Sequence, residues 1–597
     1  LCGIVGYIGS REAQEILLDC LKRLEYRGYD SAGVAIVSDG EIDVQKSVGE
    51  ISVLESQIKK ISGGAGIAHT RWATHGRPTT ENAHPFISCD GKYAVVHNGI
   101  ITNYMDLRER LIEGGHRFTS DTDSEILAHL IEDAEGEDLF AKVVKALDKV
   151  EGAYALAAID GGAEEIVVAR NESPLVIGIG HDENFVASDV TALLRYTNEV
   201  LYLHDREVAR VQADSVEIYD LEGNHVERGT QKVSWNLEDA ERSGYPHFML
   251  KEIFEQPQAV HESLLGRLGS LEEDPFFSEN AFSSVKIVGC GTSYHAGLVG
   301  KYIIEELSKL PTTVQISSEY RYSSLSEEKP LVVIITQSGE TADTLAAARE
   351  ASRRGCRTLA ITNVLGSAIT READTVIYTR AGPEIGVAAT KTFVTQLIAL
   401  YLLGLRLASS RRSISSERRR QIITDMRALP RAIQDVLNNA DAIESLTTRS
   451  AKSQSIFFIG RHINFPTALE GALKTKEISY IHGEGYPAGE LKHGPLALLS
   501  TETPVVAICV RDHTYEKMLG NVREVTARGA PVLAIGTEGD RDLEKYAEDV
   551  FLVPHVDPLF TPIPIIVVLQ LYAYYIAKKR GCPIDKPRNI AKTVTVE

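Results

Sequence analysis

The stretch Leu1-Cys2-Gly3-Ile4-Val5-Gly6 opens the chain. A cysteine one residue from the start, followed by Gly-Ile-Val-Gly, reads as a nucleophile whose base is its own backbone amine. That reading requires removal of Leu1, which leaves Cys2 with an α-amino group of pKa roughly 7.7–8.0. Such an amine accepts a thiol proton near neutral pH, as an N-terminal threonine's amine does for its hydroxyl. The glycines allow close approach of backbone to substrate. The competing reading is a buried strand that happens to contain a cysteine.

Working outward, residues 11–26 place Leu17, Leu21 and Leu24 on one helical face. Tyr26-Arg27-Gly28-Tyr29-Asp30-Ser31 follows, then a predicted strand over residues 32–37. Gly66 to Gly76 reads as a short strand running into a loop that holds His69, Arg71, Trp72 and His75 within seven residues. A further strand over residues 93–97 ends in Asn98-Gly99, either a hairpin turn or a pair of donors for a developing oxyanion. Ser120 to Glu125 is an ordinary N-cap cluster before an apolar helix, so Asp123 by itself proves nothing.

Taken together, Cys2-Gly-Ile-Val-Gly, Arg27-Gly-Tyr-Asp-Ser, His69-Thr-Arg-Trp-Ala-Thr-His-Gly, His97-Asn-Gly and Thr122-Asp123 resemble the N-terminal-nucleophile (class II) glutamine amidotransferases. The resemblance implies an αββα Ntn-hydrolase sandwich over residues 1–235 that releases ammonia from glutamine. It makes Cys2 the nucleophile and Asn98 and Gly99 the oxyanion hole. It assigns Arg71 to the glutamine α-carboxylate and Asp123 to the α-ammonium, charges that suit an amino acid. Arg27, Trp72 and His75 complete the glutamine site, with Trp72 and His75 on a loop that closes over it. The family's usual first residue is Met, and here it is Leu1.

The 597 residues suggest three or four domains. With 43% hydrophobic and 24% charged residues, the composition is that of an ordinary globular protein. A net charge of −20 argues against nucleic acid or an anionic membrane as the main partner. Seven scattered cysteines with no CxxC pair fit a reducing compartment and neither a disulfide framework nor a zinc site. No secretory pattern is present, and the most apolar stretch, residues 563–577, is too short to span a bilayer. It reads as a buried helix, a candidate for a subunit interface. The expected location is cytoplasmic.

Beyond a polar linker at residues 236–246 and a helical lead-in, the chain alternates β-rich apolar runs with helices. The runs cover residues 285–288, 331–335, 358–362 and 375–379, then 455–459, 504–510, 531–535 and 549–553. This alternation predicts doubly wound, mostly parallel sheets. The two sets look like a duplication, since Ile287-Val-Gly289 parallels Phe458-Ile-Gly460 and Ser318-Glu319 parallels Gly489-Glu490, each pair 171 positions apart. The expected domains are 247–425 and 426–588, with a tail at 589–597. Ser409 to Arg420 lies near the junction.

Two loops of the first repeat, Gly289-Cys290-Gly291-Thr292-Ser293 and Thr336-Gln337-Ser338-Gly339-Glu340-Thr341, sit where a strand ends and a helix begins. Hydroxyls, glycine and free helix-end N–H groups make a cradle for phosphate. Neither loop is a Walker A or GxGxxG pattern, so nucleotide binding is unsupported. Simple capping would explain one such loop better than two adjacent ones. In the second repeat Glu470, Lys474 and Glu477 share a helix face. They form either an exposed ion-pair ladder or, given the apolar neighbours, charges in a cleft.

These motifs resemble SIS (sugar isomerase) domains. Joined to the first domain they resemble, from end to end, the family of isomerising aminotransferases that make glucosamine 6-phosphate from glutamine and fructose 6-phosphate. The resemblance implies that Gly291, Thr292, Ser293, Thr336, Gln337, Ser338, Thr341, Val387 and Ala591 line the sugar phosphate. His493, supplied by the neighbouring subunit of a homodimer, would open the ring. Lys592 would form a Schiff base at C2, Glu477 would move a proton from C1 to C2, and Lys474 would assist the proton transfers or stabilise enolate-like charge. It implies an ammonia channel gated by Trp72, and no cofactor or metal. Thr336 and Ala389 stand where the family often has serine. Two alternatives remain: an amidotransferase acting on a related phosphosugar, and a sugar-phosphate-binding regulator without turnover.

Overall fold

The computed structural model describes residues 2–25, 30–71, 77–162, 165–233, 242–268, 275–277, 282–324 and 329–594. Arg27, Trp72, His75 and the linker positions 236–241 lie outside the described residues. The chain divides into two compact units. One comprises Leu1–Ala240, Glu340–Ala342 and Ala591–Glu597, and the other comprises Glu241–Gly339 and Asp343–Ile590.

In the first unit the opening stretch is the strand Gly3–Gly9, near the centre of an eight-stranded sheet. It pairs antiparallel with Glu183–Ala187 on one side and Ala65–Arg71 on the other. A six-stranded sheet lies against it, with Tyr93–Ile101 pairing Gly152–Asp160 antiparallel. Strand side chains alternate between faces, and three apolar layers follow from that. Val5 and Tyr7 pack with Leu17, Leu21 and Leu24 of the helix Ala13–Leu24. Ile4 and Ile8 pack with Ala94 and Val96 between the sheets. Val95 and Leu156 pack with Ile126, Leu127 and Leu130 of the helix Glu125–Asp133. Helix, sheet, sheet, helix is the expected αββα sandwich.

The strand Tyr93–Ile101 runs straight through Asn98 and Gly99, which sit opposite Ala155 and Tyr154. The hairpin reading of Asn98-Gly99 is therefore wrong. Gly99 has φ +134°, and a Cβ there would lie 2.0 Å from the Ala153 carbonyl oxygen. Only glycine fits.

In the second unit each repeat forms a five-stranded parallel sheet. The first has Val285–Gly289 between Thr312–Ile316 and Leu331–Ile335, followed by Arg357–Thr362 and Thr375–Tyr378. The second has Ser455–Gly460 between His482–Pro487 and Val505–Ile508, followed by Val532–Thr537 and Asp549–Val553. Both sheets thus have strand order 2-1-3-4-5, and the match in topology supports the duplication. The edge strands Thr312–Ile316 and His482–Pro487 were not among the expected runs.

One continuous apolar cluster serves both repeats, from Ile287 and Leu400 to Phe458 and Leu569. Residue 425 falls inside the helix Ser416–Leu437, and the basic junction stretch covers the end of the helix Lys391–Arg411, the turn after it and the start of Ser416–Leu437. The apolar stretch at 563–577 is the helix Pro562–Lys579, with Pro562 to Ala577 all buried. It packs against the helix Asn464–Ser479, so burial within its own unit accounts for its apolar character and no subunit interface is needed. Lys391–Arg411 and Pro558–Lys579 are long and apolar enough to cross a membrane, but 89% and 100% of their most apolar windows are buried in the protein.

Leu569 is fully buried and fills the space over Gly471, where a Cβ would sit 2.7 Å from its Cδ1. Leu569→Ala should cost about 2–5 kcal/mol. Hydrogen exchange of helix 562–579 peptides during urea titration checks this, and a loss below about 1 kcal/mol would mean that the core collapses onto the gap.

Candidate active sites

The first site follows from strand parity. Ile4 faces the inter-sheet layer, so Cys2, two residues earlier, falls on the same side. Asn98 continues the face that holds Ala94 and Val96, and His69 and Arg71 continue that of Ala65 and Ile67. All four meet at one end of the layer. Asn98 Nδ2 donates to the Cys2 carbonyl oxygen at 3.1 Å, and Asn98 Oδ1 lies 3.0 Å from His69 Nε2. Exchange of hydrogen bonds between Ile4 and Ser188 pins the strand start: Ile4 N–H donates to Ser188 Oγ at 3.0 Å and Ser188 N–H to the Ile4 carbonyl at 3.0 Å.

Arg71 and Asp123 are both buried. Burial lowers the Arg71 guanidinium from its usual range, and Cys2, Asp30 and Asp123 partly restore it. Asp123 is no helix cap: its Oδ2 accepts the Ile101 N–H at 2.9 Å, and the helix that follows has no side-chain cap. A thiol, an amide donor, a buried cation and a buried carboxylate converge here, a set suited to acyl transfer from a zwitterionic amino acid.

Behind Asn98 stand three buried histidines. His84 stacks on His69 with ring centroids 3.9 Å apart, and its Nδ1 accepts the His97 N–H at 3.3 Å. His97 Nδ1 lies 2.8 Å from Ser124 Oγ. Burial lowers all three, His69 to about 3. His69 and His97 stand in motifs quoted from the sequence, whereas His84 does not.

The second site lies where the strand order of the first parallel sheet reverses, between Val285–Gly289 and Leu331–Ile335, the usual ligand position in such sheets. Both expected phosphate loops leave these two strands. The helix Gly291–Ser308 begins with no side-chain cap, so its N-terminus retains its attraction for anions. Gln396 Nε2 donates to Ser293 Oγ at 3.1 Å. Gly339, at φ +71°, donates its N–H to Thr336 Oγ1 at 3.2 Å, and a Cβ there would lie 2.0 Å from Ser367 Oγ. The Gln337 carbonyl accepts the Asn363 N–H at 3.1 Å, while Ser338 is half-buried. Val387 and Ala389 lie just before the helix Lys391–Arg411, whose first turn is tied to Glu384.

The charged face of the helix Asn464–Ser479 turns inward onto the first repeat. Lys474 Nζ lies 2.6 Å from Glu477 Oε2, 3.3 Å from Glu470 Oε1 and 3.1 Å from Thr292 Oγ1. Thr292 Oγ1 donates to Glu470 Oε1 at 2.9 Å, and His295 Nδ1 lies 2.7 Å from Glu470 Oε2. The exposed-ladder reading is excluded because Glu470 and Lys474 are fully buried. Burial opposes the Lys474 charge, but Glu477 and Glu470 hold its pKa above the usual range. Burial likewise opposes ionisation of Glu470, yet Lys474, His295 and Thr292 hold its pKa down. His295 and Gln396 escaped the sequence reading, although His295 sits only two residues beyond the end of the first flagged loop, on the helix Gly291–Ser308.

Thr341, Ala591 and Lys592 fall in the first unit, where the Ala342 N–H donates to the Val594 carbonyl at 3.0 Å. His493 is exposed at the end of the short turn Ala488–His493.

Residues 69–195 match the model of a glutamine amidotransferase domain, and residues 283–406 and 450–577 match that of the SIS domain. The chain is 52% identical over its full length, and that of the relative, to a glutamine–fructose-6-phosphate aminotransferase (isomerizing) of Methanosarcina mazei. It belongs to the family of isomerising glutamine–fructose-6-phosphate aminotransferases. A family member from Thermus thermophilus is 48% identical, again over both full chains. The C-terminal domain of the Francisella tularensis glucosamine-fructose-6-phosphate aminotransferase is a solved structural neighbour. It is 37% identical with TM-score 0.56, matching 58% of this chain and all of that one.

The neutral histidines give this family member a signed pH dependence. Unfolded, each imidazole protonates below its ordinary value of 6.5, while folded His69 stays neutral down to about 3. The unfolded state therefore binds more protons across that window, and stability is lost as pH falls from 6.5 towards 3. Urea midpoints of the N-terminal unit between pH 7 and pH 5 should decline. A flat profile would mean that these histidines are charged in the folded protein.

Proposed function

We propose that this chain transfers the amide nitrogen of L-glutamine to fructose 6-phosphate and isomerises the product to glucosamine 6-phosphate, releasing L-glutamate. The observation that carries this reading is the convergence of Cys2, Asn98, Arg71 and Asp123. A phosphosugar-binding regulator has no use for a thiol beside an oriented amide donor and a pair of buried opposite charges.

At the glutaminase site, the Cys2 sulfur attacks the side-chain amide carbon of glutamine after its own amine takes the thiol proton. That base exists only on a chain that starts at Cys2. Asn98 Nδ2 and the Gly99 N–H receive the oxyanion. Arg71 holds the α-carboxylate and Asp123 the α-ammonium. Ammonia leaves with the proton returned by the amine, and water releases glutamate from the thioester.

At the sugar site, Ser293, Gln337, Ser338 and Thr341 hold the phosphate, with Gly291, Thr292, Thr336, Val387 and Ala591 lining the sugar. His493, exposed on its own chain, serves the site of a second copy in a homodimer and opens the ring. Lys592 forms the imine at C2, and ammonia, passed internally rather than through water, displaces it. Glu477 then takes a proton from C1 and returns it to C2. Lys474 is fixed as a cation by two carboxylates, which supports its stabilising enolate-like charge rather than acting as a base. Arg27, Trp72 and His75 complete and close over the glutamine pocket in this reading.

Glutamine labelled with 15N in its amide, incubated with fructose 6-phosphate, should yield labelled hexosamine 6-phosphate equimolar with glutamate. Glutamate without hexosamine phosphate would overturn the acceptor assignment. Cys2→Ala should lower glutamine hydrolysis by roughly 10³-fold or more and leave sugar isomerisation intact, whereas retained hydrolysis would remove Cys2 as nucleophile. Lys592→Ala should abolish borohydride trapping of fructose 6-phosphate, and persistent trapping would place the imine on another lysine.

A further inference from the structure

Away from both sites, four side chains of the N-terminal unit turn their donor atoms on one point. Cys89 lies between the strands Phe86–Ile87 and Tyr93–Ile101. His116 follows the helix Tyr104–Glu113, and His129 and Glu132 stand one turn apart on the helix Glu125–Asp133. Their ligand atoms all lie within 4.8 Å of one another. Cys89 Sγ is 3.7 Å from His129 Nδ1, which is 3.4 Å from Glu132 Oε2. His116 Nδ1 is 3.2 Å from that same oxygen.

His116 sits between two carboxylates, with Nε2 2.9 Å from Asp133 Oδ1 and Nδ1 turned to Glu132 and the other donor atoms of the cluster. The His116 side chain is only 8% exposed. The separations of 3.7, 3.4 and 3.2 Å lie close to the edges of a tetrahedron around a cation with bonds of about 2.0–2.3 Å, which run to roughly 3.3–3.6 Å.

The surroundings are also those of a metal centre. His116 presents its remote nitrogen to Asp133 at 2.9 Å, and the remote nitrogen of His129 faces Glu125 Oε1 at the longer distance of 3.8 Å. Such carboxylate–histidine pairs orient metal ligands and raise their basicity. The Arg117 N–H points at Cys89 Sγ at 3.3 Å, and Glu132 accepts the N–H groups of Cys89 and Asp90 at 2.9 and 3.0 Å.

We propose that Cys89, His116, His129 and Glu132 form a structural zinc site. One thiolate and one carboxylate balance the two charges of Zn²⁺, and the mixed sulfur, nitrogen and oxygen set suits this borderline cation. All four positions are filled by protein, so the site is closed and not catalytic. Binding releases the Cys89 thiol proton to solvent. The bond set ties the edge of the six-stranded sheet to the helix that begins just after Asp123. The sequence reading found no zinc pattern because the ligands are spread from residue 89 to residue 132, with only His129 and Glu132 close together.

Metal analysis of the full-length protein, purified without chelator or affinity metal, should find about one zinc per chain. Cobalt added to chelator-stripped protein should give the visible bands of a tetrahedral site and a thiolate-to-cobalt charge-transfer band. Cys89→Ser should remove the charge-transfer band and His129→Ala the bound metal, while Cys582→Ser, in the other unit, should change neither. A chain that carries no zinc and gives no Cys89-dependent cobalt band overturns the proposal. A band that survives Cys89→Ser does so as well. None of these readouts depends on glutamine or sugar turnover.

Discussion

The geometry of the glutaminase site depends on the orientation of one amide. Asn98 has its oxygen at His69 and its nitrogen at the Cys2 carbonyl, and the first contact fixes the second. His69 can donate from Nε2 only as a neutral ring or as an imidazolium, and complete burial disfavours the charged form. The neutral ring with its proton on Nε2 holds the Asn98 oxygen, so the amide N–H groups face the cysteine end. The stacked His84 and the His97 behind it extend this dry, uncharged support. Strand period does the rest, because Cys2, Asn98, His69 and Arg71 reach the same layer only if every strand keeps its register.

The second site is built on the opposite electrostatic principle. A fully buried lysine between two carboxylates costs desolvation that only good geometry offsets. Here Thr292 and His295 supply the remaining hydrogen bonds to Glu470. Removing the cation would leave Glu470 charged and enclosed, so the triad locks the first repeat's loop at Thr292 to the second repeat's helix. The fusion of both sheets into one apolar core makes that lock possible, since the helices Lys391–Arg411 and Pro562–Lys579 are buried on nearly every face.

Much of this was legible in the sequence, for physical reasons that differ by element. Central strands such as Leu331–Ile335 are covered on both faces and read as unbroken β-branched runs. The edge strand His482–Pro487, with two glycines and a proline, carries no such signal and exists because Ser455–Gly460 offers it a free edge. Asn98-Gly99 carried a turn signature that tertiary pairing overrode, since Gly99 serves close approach to Ala153 rather than chain reversal. Asp123 resembled a cap because its neighbours do, yet its carboxylate binds the backbone of another strand. His116 gave no signal at all: its partners come from two other segments, the turn at Cys89 and the helix Glu125–Asp133, and convergence in space leaves no spacing to read.

The contrast between the two sites also explains why ionisable residues had to be read in context. A histidine in the sandwich and a lysine beside the parallel sheet are equally enclosed, yet one is driven neutral and the other is held charged. Burial acts against charge in both cases. What differs is the company: His69 meets an amide whose single hydrogen bond is outweighed by burial, and a nearby guanidinium that opposes a charge, whereas Lys474 meets two carboxylates within 3.3 Å. The first arrangement orients an uncharged amide whose N–H groups face the cysteine end. The second keeps a cation in place between two carboxylates, and exclusion of solvent gives both arrangements their strength.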